Sequence, residues 1–249
     1  YLKEENIRFR DHKIKFMKLL ARKVSKGEEL IYWKDIKKKL GNFNLEADEG
    51  SVNKHDSIGI LGENGIGKTT FVRILAEDIK SDKGKVKGKI KVSYKPQYLK
   101  VSKKIVSEVL KEATKKYDVE LIRPLQLKHL FDRRLDELSG GELQRVSIAL
   151  CLSKKVDMYL LDEPSAYLDV EQRLRVARMI KDIMEKRGTS ALVVDHDLLF
   201  IDYLSNNLLV FQGESAVNGN VNDTFSMEDG MNVFLKELNI SLRRDKESS

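Results

Sequence analysis

The sequence predicts an α/β fold with a parallel core sheet covered by helices on both faces, and three observations lead to this prediction. An apolar run at residues 58–61 precedes a glycine-rich segment, GENGIGKT at residues 62–69, and an apolar helical pattern follows. A second apolar run, at residues 158–161, ends in the carboxylates of Asp162 and Glu163. Elsewhere, helical periodicity alternates with short apolar segments, which is typical of parallel strands joined by helices.

Size and composition indicate one large domain. The chain has 249 residues and is 41% apolar, which is enough for a sizeable core. It shows no apolar stretch of membrane-spanning length and no signal-peptide pattern, so we expect a soluble, cytosolic protein. Cys151, the single cysteine, lies in an apolar helical pattern, which favours a buried position and excludes a disulfide within the chain.

The charge balance is basic, with 46 Lys and Arg against 39 Asp and Glu. This excess permits a polyanionic partner such as RNA but does not establish one. Part of this excess comes from four lysines at every second position, a pattern typical of a strand with one solvent-exposed face: Lys85, Lys87, Lys89 and Lys91. A solvated strand face is the simpler interpretation, because few aromatic residues are interleaved.

The first half of the chain is predicted to contain an arm, a group of strands and a helical region. Residues 1–29 are charged and irregular and form the predicted arm. From residue 30 to about 92, strands surround the glycine-rich segment. Residues 105–131 are predicted to be helical, with Pro124 near a helix start.

The second half is predicted to alternate helices and strands. After the glycine pair at 140–141, the pattern gives in order a long helix to about residue 152, a strand at 156–161, a helix at about 171–186, a strand at 190–194 and a short helix after His196. A hairpin around Gly213 and an amphipathic piece at 231–238 end the chain. We therefore divide the chain into an arm (1–29), a domain (30–212, with a helical subdomain at 98–152) and a C-terminal segment (213–249).

The glycine-rich segment fits the phosphate-binding loop (P-loop) pattern G-x-x-x-x-G-K-[ST], in the required order of strand, loop and helix. Backbone N–H groups and a helix N-terminus can then cradle phosphates. Lys68 would reach the β- and γ-phosphates, and the Thr69 hydroxyl would ligate Mg²⁺. The other predicted nucleotide-binding residues here are Asn64, Gly65, Ile66, Gly67 and Thr70. A chance glycine-rich turn is the alternative, and the flanking strand and helix argue against it.

The acid-ended strand supplies the predicted catalytic group. The carboxyl end of a buried parallel strand faces the crevice where ligands bind in open α/β sheets. Asp162 is placed there to hold Mg²⁺, directly or through a water, and Glu163 to polarise the water that attacks the γ-phosphate. Two acids at a strand end can also be simple helix caps, but the phosphate loop in the same chain favours the catalytic interpretation.

A third motif, LSGGE at residues 138–142, opens the helix that runs to about residue 152. By itself it could be an ordinary N-cap formed by Ser139 and Glu142. Together with the phosphate loop and the acid-ended strand, it resembles the nucleotide-binding domain of the ABC ATPase family, over residues 30–211. The resemblance implies a P-loop ABC-type ATPase domain with a parallel core sheet, an antiparallel β subdomain and a helical subdomain that carries the signature LSGGE.

The resemblance also assigns individual residues. Gln97, in YKPQ, matches the Q-loop glutamine that ligates Mg²⁺ and senses the γ-phosphate. Asp169, in SAYLD, matches the D-loop aspartate, and His196 resembles the switch histidine that contacts the γ-phosphate. For the aromatic residue that stacks on adenine, Tyr32 is the first candidate and Phe43 the second, and either could instead belong to the core.

Two domains of this family bind head to tail, so that ATP lies between the phosphate loop of one and the signature of the other. The signature residues would therefore act in trans, on a nucleotide bound mainly by a partner: Ser139, Gly140, Gly141 and Glu142. The resemblance implies ATP or ADP and Mg²⁺ as cofactors. It also implies a twin domain or a second copy as partner, and slow hydrolysis by the isolated domain.

The branch of the family follows from spacing and local sequence. About seventy residues separate the phosphate loop from the signature, which excludes the branch with a long coiled coil. The segments VSYKPQ, LSGGELQRV and DEPSAYLD, with its Tyr167, resemble the second nucleotide-binding domain of the RNase L inhibitor family of ribosome-recycling ATPases, archaeal in style. The flanks at residues 5–10 and 230–245 resemble the hinge segments of that family.

This resemblance implies that the chain is a fragment. One cysteine cannot hold the four-cysteine clusters of the family's iron–sulfur region, and only one phosphate loop is present. Splitting of ribosomal subunits would belong to the full-length protein, with ribosomal subunits and release or initiation factors as partners and no membrane. The alternative is a soluble ATPase subunit that energises a membrane transporter, and a third is an ATP-binding module without turnover.

Overall fold

The computed structural model describes residues 28–88, 90–99 and 101–237. The predicted arm therefore lies outside the described residues except for its last two positions, and so does the end of the predicted C-terminal segment. The strands are β1 (Glu29–Leu40), β2 (Phe43–Asn53), β3 (Ser57–Leu61), β4 (Lys83–Lys87), β5 (Val92–Lys95), β6 (Met158–Asp162), β7 (Ser190–Val194), β8 (Asn207–Glu214) and β9 (Asn218–Ser226). The helices are α1 (Lys68–Leu75), α2 (Val106–Val109), α3 (Lys111–Tyr117), α4 (Gly140–Leu152), α5 (Val170–Arg187), α6 (Leu198–Leu204) and α7 (Met227–Glu237).

Within the described residues, nine strands form one sheet in the order β4-β1-β2-β9-β8-β3-β7-β6-β5. The five adjacent strands β8, β3, β7, β6 and β5 are parallel to one another. Strands β4, β1 and β2 are antiparallel, while β9 runs parallel to β2 and antiparallel to β8. The predicted α/β fold, with a parallel core and an antiparallel part, is confirmed.

The parallel strands divide the core into two layers because successive side chains point to opposite faces. On β6, Tyr159 and Leu161 join the cluster that packs under α4, α5 and α6. Met158 and Leu160 join the other cluster, which includes α1 and the antiparallel strands. All five residues of each of the strands β3, β6 and β7 are buried, and these strands are apolar except at one end, where Ser57, Asp162 and Ser190 lie.

The region predicted as helical between the two motifs is only partly regular. Short helices α2 and α3 lead into a π-helical turn, Asp118–Ile122, and two 3₁₀ turns follow at Lys128–Leu130 and Leu135–Glu137. Pro124 was predicted to lie near a helix start, but it lies in the turn that ends the π-helical segment, and the next helical turn begins only at Lys128. Proline has no N–H to continue the helical hydrogen bonds, and here this property terminates the segment.

Two predictions about strand ends also need correction. The strand of alternating lysines ends at Lys87, because Gly88 has a φ of 136° that breaks the ladder before β5 begins at Val92. The predicted hairpin exists, but its turn lies at residues 215–217, and Gly213 pairs with Gly219 inside the ladder.

The sheet continues past the predicted domain boundary at residue 212. Strand β9 pairs with both β8 and β2 and so links the parallel core to the antiparallel part. The division of the chain into three segments stays a prediction. In the described part of the chain, none of the helices has the length and apolar character needed to cross a bilayer.

Candidate functional site

The glycine-rich loop connects β3 to α1 and is held open by its backbone conformation. Gly65 and Gly67 have φ angles of 75° and 97°, in the left-handed region that favours glycine. A Cβ at Gly67 would lie 2.9 Å from Cζ of Phe43. The loop is supported from below by the β8–β9 hairpin, where Ser215 donates a hydrogen bond to the Asn64 carbonyl at 2.6 Å. The backbone can therefore approach an anion closely.

Lys68 points into this loop and is 6% exposed. Its Nζ donates to the carbonyl oxygens of Gly62 at 2.6 Å and Glu63 at 2.7 Å. Burial lowers the pKa of Lys68 to about 8, and the nearby carboxylates of Glu163 and Asp162 oppose this shift. A buried ammonium with only carbonyl partners can exchange them for phosphate oxygens, which would favour its charged form.

Asp162 ends β6 and is fully buried. Its Oδ2 accepts a hydrogen bond from the Tyr94 hydroxyl at 3.3 Å, whereas its Oδ1 has no partner. Burial raises the pKa of Asp162, and the nearby Thr69 hydroxyl opposes this shift. An unpartnered carboxylate oxygen next to a hydroxyl fits a hard divalent cation such as Mg²⁺, which needs few protein ligands when phosphate oxygens are also present.

Glu163 contacts two other predicted site residues, Gln97 and His196. Its Oε1 accepts a hydrogen bond from Gln97 Nε2 at 2.9 Å and lies 3.3 Å from His196 Nε2. Its φ is 48°, an unusual value for a residue other than glycine. Because the three residues come from segments after β5, β6 and β7, the carboxylate lies where the ends of neighbouring parallel strands meet.

Comparisons with known proteins identify the family. The ABC transporter family model matches residues 45–166. An uncharacterized ABC transporter ATP-binding protein of Methanocaldococcus jannaschii is 50% identical over 254 residues, covering 99% of this chain and 42% of that protein. ABC transporter E family member 3 of Arabidopsis thaliana is 36% identical over 170 residues, covering 63% of this chain and 94% of the plant protein. The chain belongs to the ABC transporter E family. It is an ABC ATPase domain.

A solved structure resembles this E-family domain along almost its whole length. In the crystal structure of the complex of archaeal ribosomal stalk protein aP1 and archaeal ribosome recycling factor aABCE1, one chain is 47% identical with a TM-score of 0.85. The match covers 99% of this chain and 49% of that one. The E-family domain thus spans less than half the length of this factor and of the archaeal relative.

The signature residues of the E-family domain form a helix N-terminus. Ser139 caps α4, and its Oγ and backbone N both lie 2.8 Å from Oε2 of Glu142. Arg133 donates to the other oxygen of Glu142 at 3.0 Å. The N-cap that the sequence allowed is therefore present. Among the described residues, the side-chain hydrogen bonds of Ser139 and Glu142 run to each other and to Arg133, not to the phosphate loop.

The two glycines of the signature lie beside the D-loop. A Cβ at Gly140 would be 3.2 Å from the Tyr167 ring, and one at Gly141 would be 2.8 Å from the Tyr167 carbonyl oxygen. Tyr167 is itself exposed. Asp169 caps α5 by accepting a hydrogen bond from the Gln172 backbone at 2.8 Å. The surface formed by signature and D-loop is therefore available to a partner.

The order of the two aromatic candidates is reversed in the structure. Phe43 begins β2, beside Gly67 of the phosphate loop. Tyr32 lies near the opposite end of β1, eight residues from Leu40, which is roughly 26 Å along a strand. The geometry favours Phe43, and the position of the β1–β2 turn relative to the loop is the signal that the sequence analysis did not use.

Several polar residues that the sequence analysis missed hold these segments in place. Asp195 is buried and accepts hydrogen bonds from the backbone and hydroxyl of Ser165 at 2.9 and 2.6 Å. Arg173 donates to the Leu168 carbonyl at 2.9 Å and to Asp197 at 3.0 Å. The residues on both sides of His196 are thereby tied to the segment 165–173. Only the capping role of Asp197, just before a predicted helix, could be read from the sequence.

Proposed function

We propose that this domain binds Mg-ATP at residues 62–70 and hydrolyses it with Glu163 as the general base. We further propose that ATP-driven closure against a twin domain powers ribosomal subunit splitting by the full-length protein. The observation that carries the proposal is the convergence of Gln97 and His196 on Glu163, next to Lys68 and Asp162.

Each side chain has a defined task in this mechanism. Lys68 replaces its two carbonyl partners with oxygens of the β- and γ-phosphates. Glu163 accepts a proton from the attacking water, and His196 donates a hydrogen bond to the γ-phosphate. Bound Mg²⁺ would neutralise developing phosphate charge, with Thr69, Asp162 and Gln97 as the residues that would hold it. Phe43 stacks on the adenine.

The second half of the site comes from another domain. Ser139, Gly140, Gly141 and Glu142 serve the nucleotide of the partner, and Asp169 meets the partner across the same surface. The chain by itself hydrolyses ATP slowly, because the γ-phosphate lacks the donors of the facing signature. ADP remains bound until the two domains separate.

The role in translation is supported by similarity to the archaeal ribosome recycling factor over 99% of this chain. This similarity favours ribosome recycling over the transporter-subunit alternative. The domain spans only 49% of that factor, so we assign the ribosomal role to the full-length protein. Its partners would include ribosomal subunits and release or initiation factors.

The test of the enzymatic proposal is Glu163→Gln, with Glu185→Gln on the exposed side of α5 as the matched control. Removing a general base should lower the hydrolysis rate constant by about 10²–10⁴-fold and leave the Mg-ATP dissociation constant unchanged. Phosphate release and nucleotide titration measure the two quantities. Equal hydrolysis by Glu163→Gln and Glu185→Gln would contradict the assignment.

The test of the ribosomal proposal uses the full-length protein that contains this domain. Lys68→Met should abolish ATP-dependent splitting of ribosomal subunits in a sucrose-gradient assay, because closure requires nucleotide at this site. Undiminished splitting would show that ATP binding in this domain does not drive the reaction.

A further inference from the structure

Lys95 is a buried lysine at the centre of the site, and the mechanism described above gives it no task. It is the last residue of β5 and is 1% exposed. Its Nζ donates to the carbonyl oxygen of Asp162 at 2.8 Å and to that of Glu163 at 3.2 Å. Both partners are backbone oxygens, so the ammonium acts on the path of the chain at these residues.

Glu163 has a backbone conformation that needs such support. Its N–H continues the sheet by donating to the Val194 carbonyl at 2.7 Å, but its φ of 48° turns the chain out of the strand. This left-handed conformation is unfavourable for a residue with a side chain. The Glu163 carbonyl is therefore removed from the sheet and needs donors of its own.

The Ala166 backbone supplies one such donor, at 3.4 Å, and two side chains from different elements supply the others. Besides Lys95, Gln144 of α4 donates its Nε2 to the Glu163 carbonyl at 2.6 Å. Gln144 lies two residues after the signature residue Glu142, and Lys95 two residues before Gln97. The Glu163 carbonyl oxygen thus links three elements: β5, which precedes Gln97, the signature helix α4, and the end of β6.

We propose that Lys95 is a positioning residue for ATP hydrolysis: together with Gln144 it holds the left-handed turn at Glu163 and so directs the carboxylate towards Gln97 and His196. The proposal rests on the proposed function, in which Glu163 is the base. Lys95 touches no reacting atom and acts only through the backbone of residues 162 and 163.

Lys95 is a buried charge close to the carboxylates of Asp162 and Glu163. Removing one member of a buried group of opposite charges leaves the others uncompensated and destabilises the fold. Lost stability alone would therefore not identify a positioning residue, so the tests measure the backbone at Glu163 and separate hydrolysis from binding.

The first test is the structure of the Lys95→Met variant. The proposal expects Glu163 to leave the left-handed region and the contact between Gln97 and Glu163 to be lost. A crystal structure of the variant that retains both features would overturn the proposal. This readout does not depend on turnover, and Gln144→Met, which removes the other donor, provides a second variant if Lys95→Met fails to fold.

The second test separates hydrolysis from binding and folding. Lys95→Met should lower the single-turnover rate constant at least tenfold, with less than a twofold change in the Mg-ATP dissociation constant, both measured well below the melting temperature of the variant. Lys95→Arg should restore part of the rate, because it keeps the donors.

The matched control is Ser93→Ala, on the same strand. The Ser93 hydroxyl donates to the Cys151 carbonyl at 2.9 Å and does not touch residues 162 or 163. It should leave the rate unchanged. A wild-type rate in Lys95→Met, or a weakening of Mg-ATP binding as large as the loss of rate, would overturn the positioning role. Failure of Glu163→Gln to slow hydrolysis would instead contradict the proposed function itself, while the structural test of Lys95 would stand.

Discussion

At the scale of single residues, Cys151 shows how burial sets reactivity. It lies in α4, is 3% exposed, and its Sγ is 3.3 Å from the Ser93 hydroxyl. Burial raises the pKa of its thiol to about 11. Since the thiolate is the reactive form, we expect alkylation by iodoacetamide at pH 8 to be at least about 100-fold slower in the folded protein than in guanidinium.

Mass spectrometry of the alkylated chain measures this rate, and the guanidinium-unfolded protein is the control. Rapid modification of the folded protein at pH 8 would show that α4 opens far more readily than its packing indicates.

Asp162 gives a second prediction at this scale. Its carboxylate is buried with one unpartnered oxygen, and its pKa is raised by burial. A carboxyl group with a raised folded-state pKa destabilises the fold above that pKa, and the penalty vanishes as pH falls through it. In the absence of nucleotide, Asp162→Asn should therefore increase the free energy of unfolding at pH 7 by about 1–3 kcal/mol.

Urea unfolding measures the change, and the difference from the unsubstituted chain should shrink on acidification. Asp48→Asn, at an exposed position of β2, is the control and should have little effect. The same Asp162 variant should lose Mg²⁺-dependent hydrolysis. A variant that is less stable than the parent at pH 7 would contradict this account of the site.

At the scale of secondary-structure elements, α1 depends on aromatic packing. Phe71 of α1 packs edge-to-face against Trp33 of β1 at 5.2 Å and Phe211 of β8 at 5.5 Å between ring centroids. These contacts fix the helix that begins at Lys68. Phe71→Ala should lower the free energy of unfolding by about 3–5 kcal/mol, because it leaves a cavity between the sheet and the helix.

Urea unfolding followed by circular dichroism measures this loss. Leu199→Ala, at a position 63% exposed on α6, should change stability by less than about 0.5 kcal/mol. Similar effects of the two substitutions would mean that α1 is not anchored by this aromatic cluster.

At the scale of the whole molecule, the proposed pairing makes hydrolysis depend on a second domain. If two copies complete each other's sites, the rate per chain should rise with chain concentration. A mixture of Lys68→Met and Gly141→Asp chains should then recover activity that neither has alone, because one composite site of the mixed dimer is intact. Steady-state phosphate release measures both effects.

The unsubstituted chain at matched total concentration is the control for the mixing experiment. A rate per chain that is independent of concentration, together with no recovery in the mixture, would restrict the partner to the twin domain of the full-length protein.

The motifs and the buried strands were predictable because their patterns are local. The phosphate loop, the acid-ended strand and the LSGGE helix start each occupy a few consecutive residues, and β3, β6 and β7 each contain four consecutive apolar residues. The segment 105–131 was less predictable, since its π-helical and 3₁₀ turns depend on packing against α4 and α5.

The sequence by itself determined the fold class and predicted the residues of the nucleotide site, because both depend on residue type and spacing along the chain. Only the tertiary structure decided that Phe43 rather than Tyr32 lies beside the loop, and that Lys95 and Gln144 meet at the Glu163 carbonyl. Such contacts join residues far apart in sequence. Their partners are backbone atoms, which every residue carries, so no pattern of side chains can reveal them.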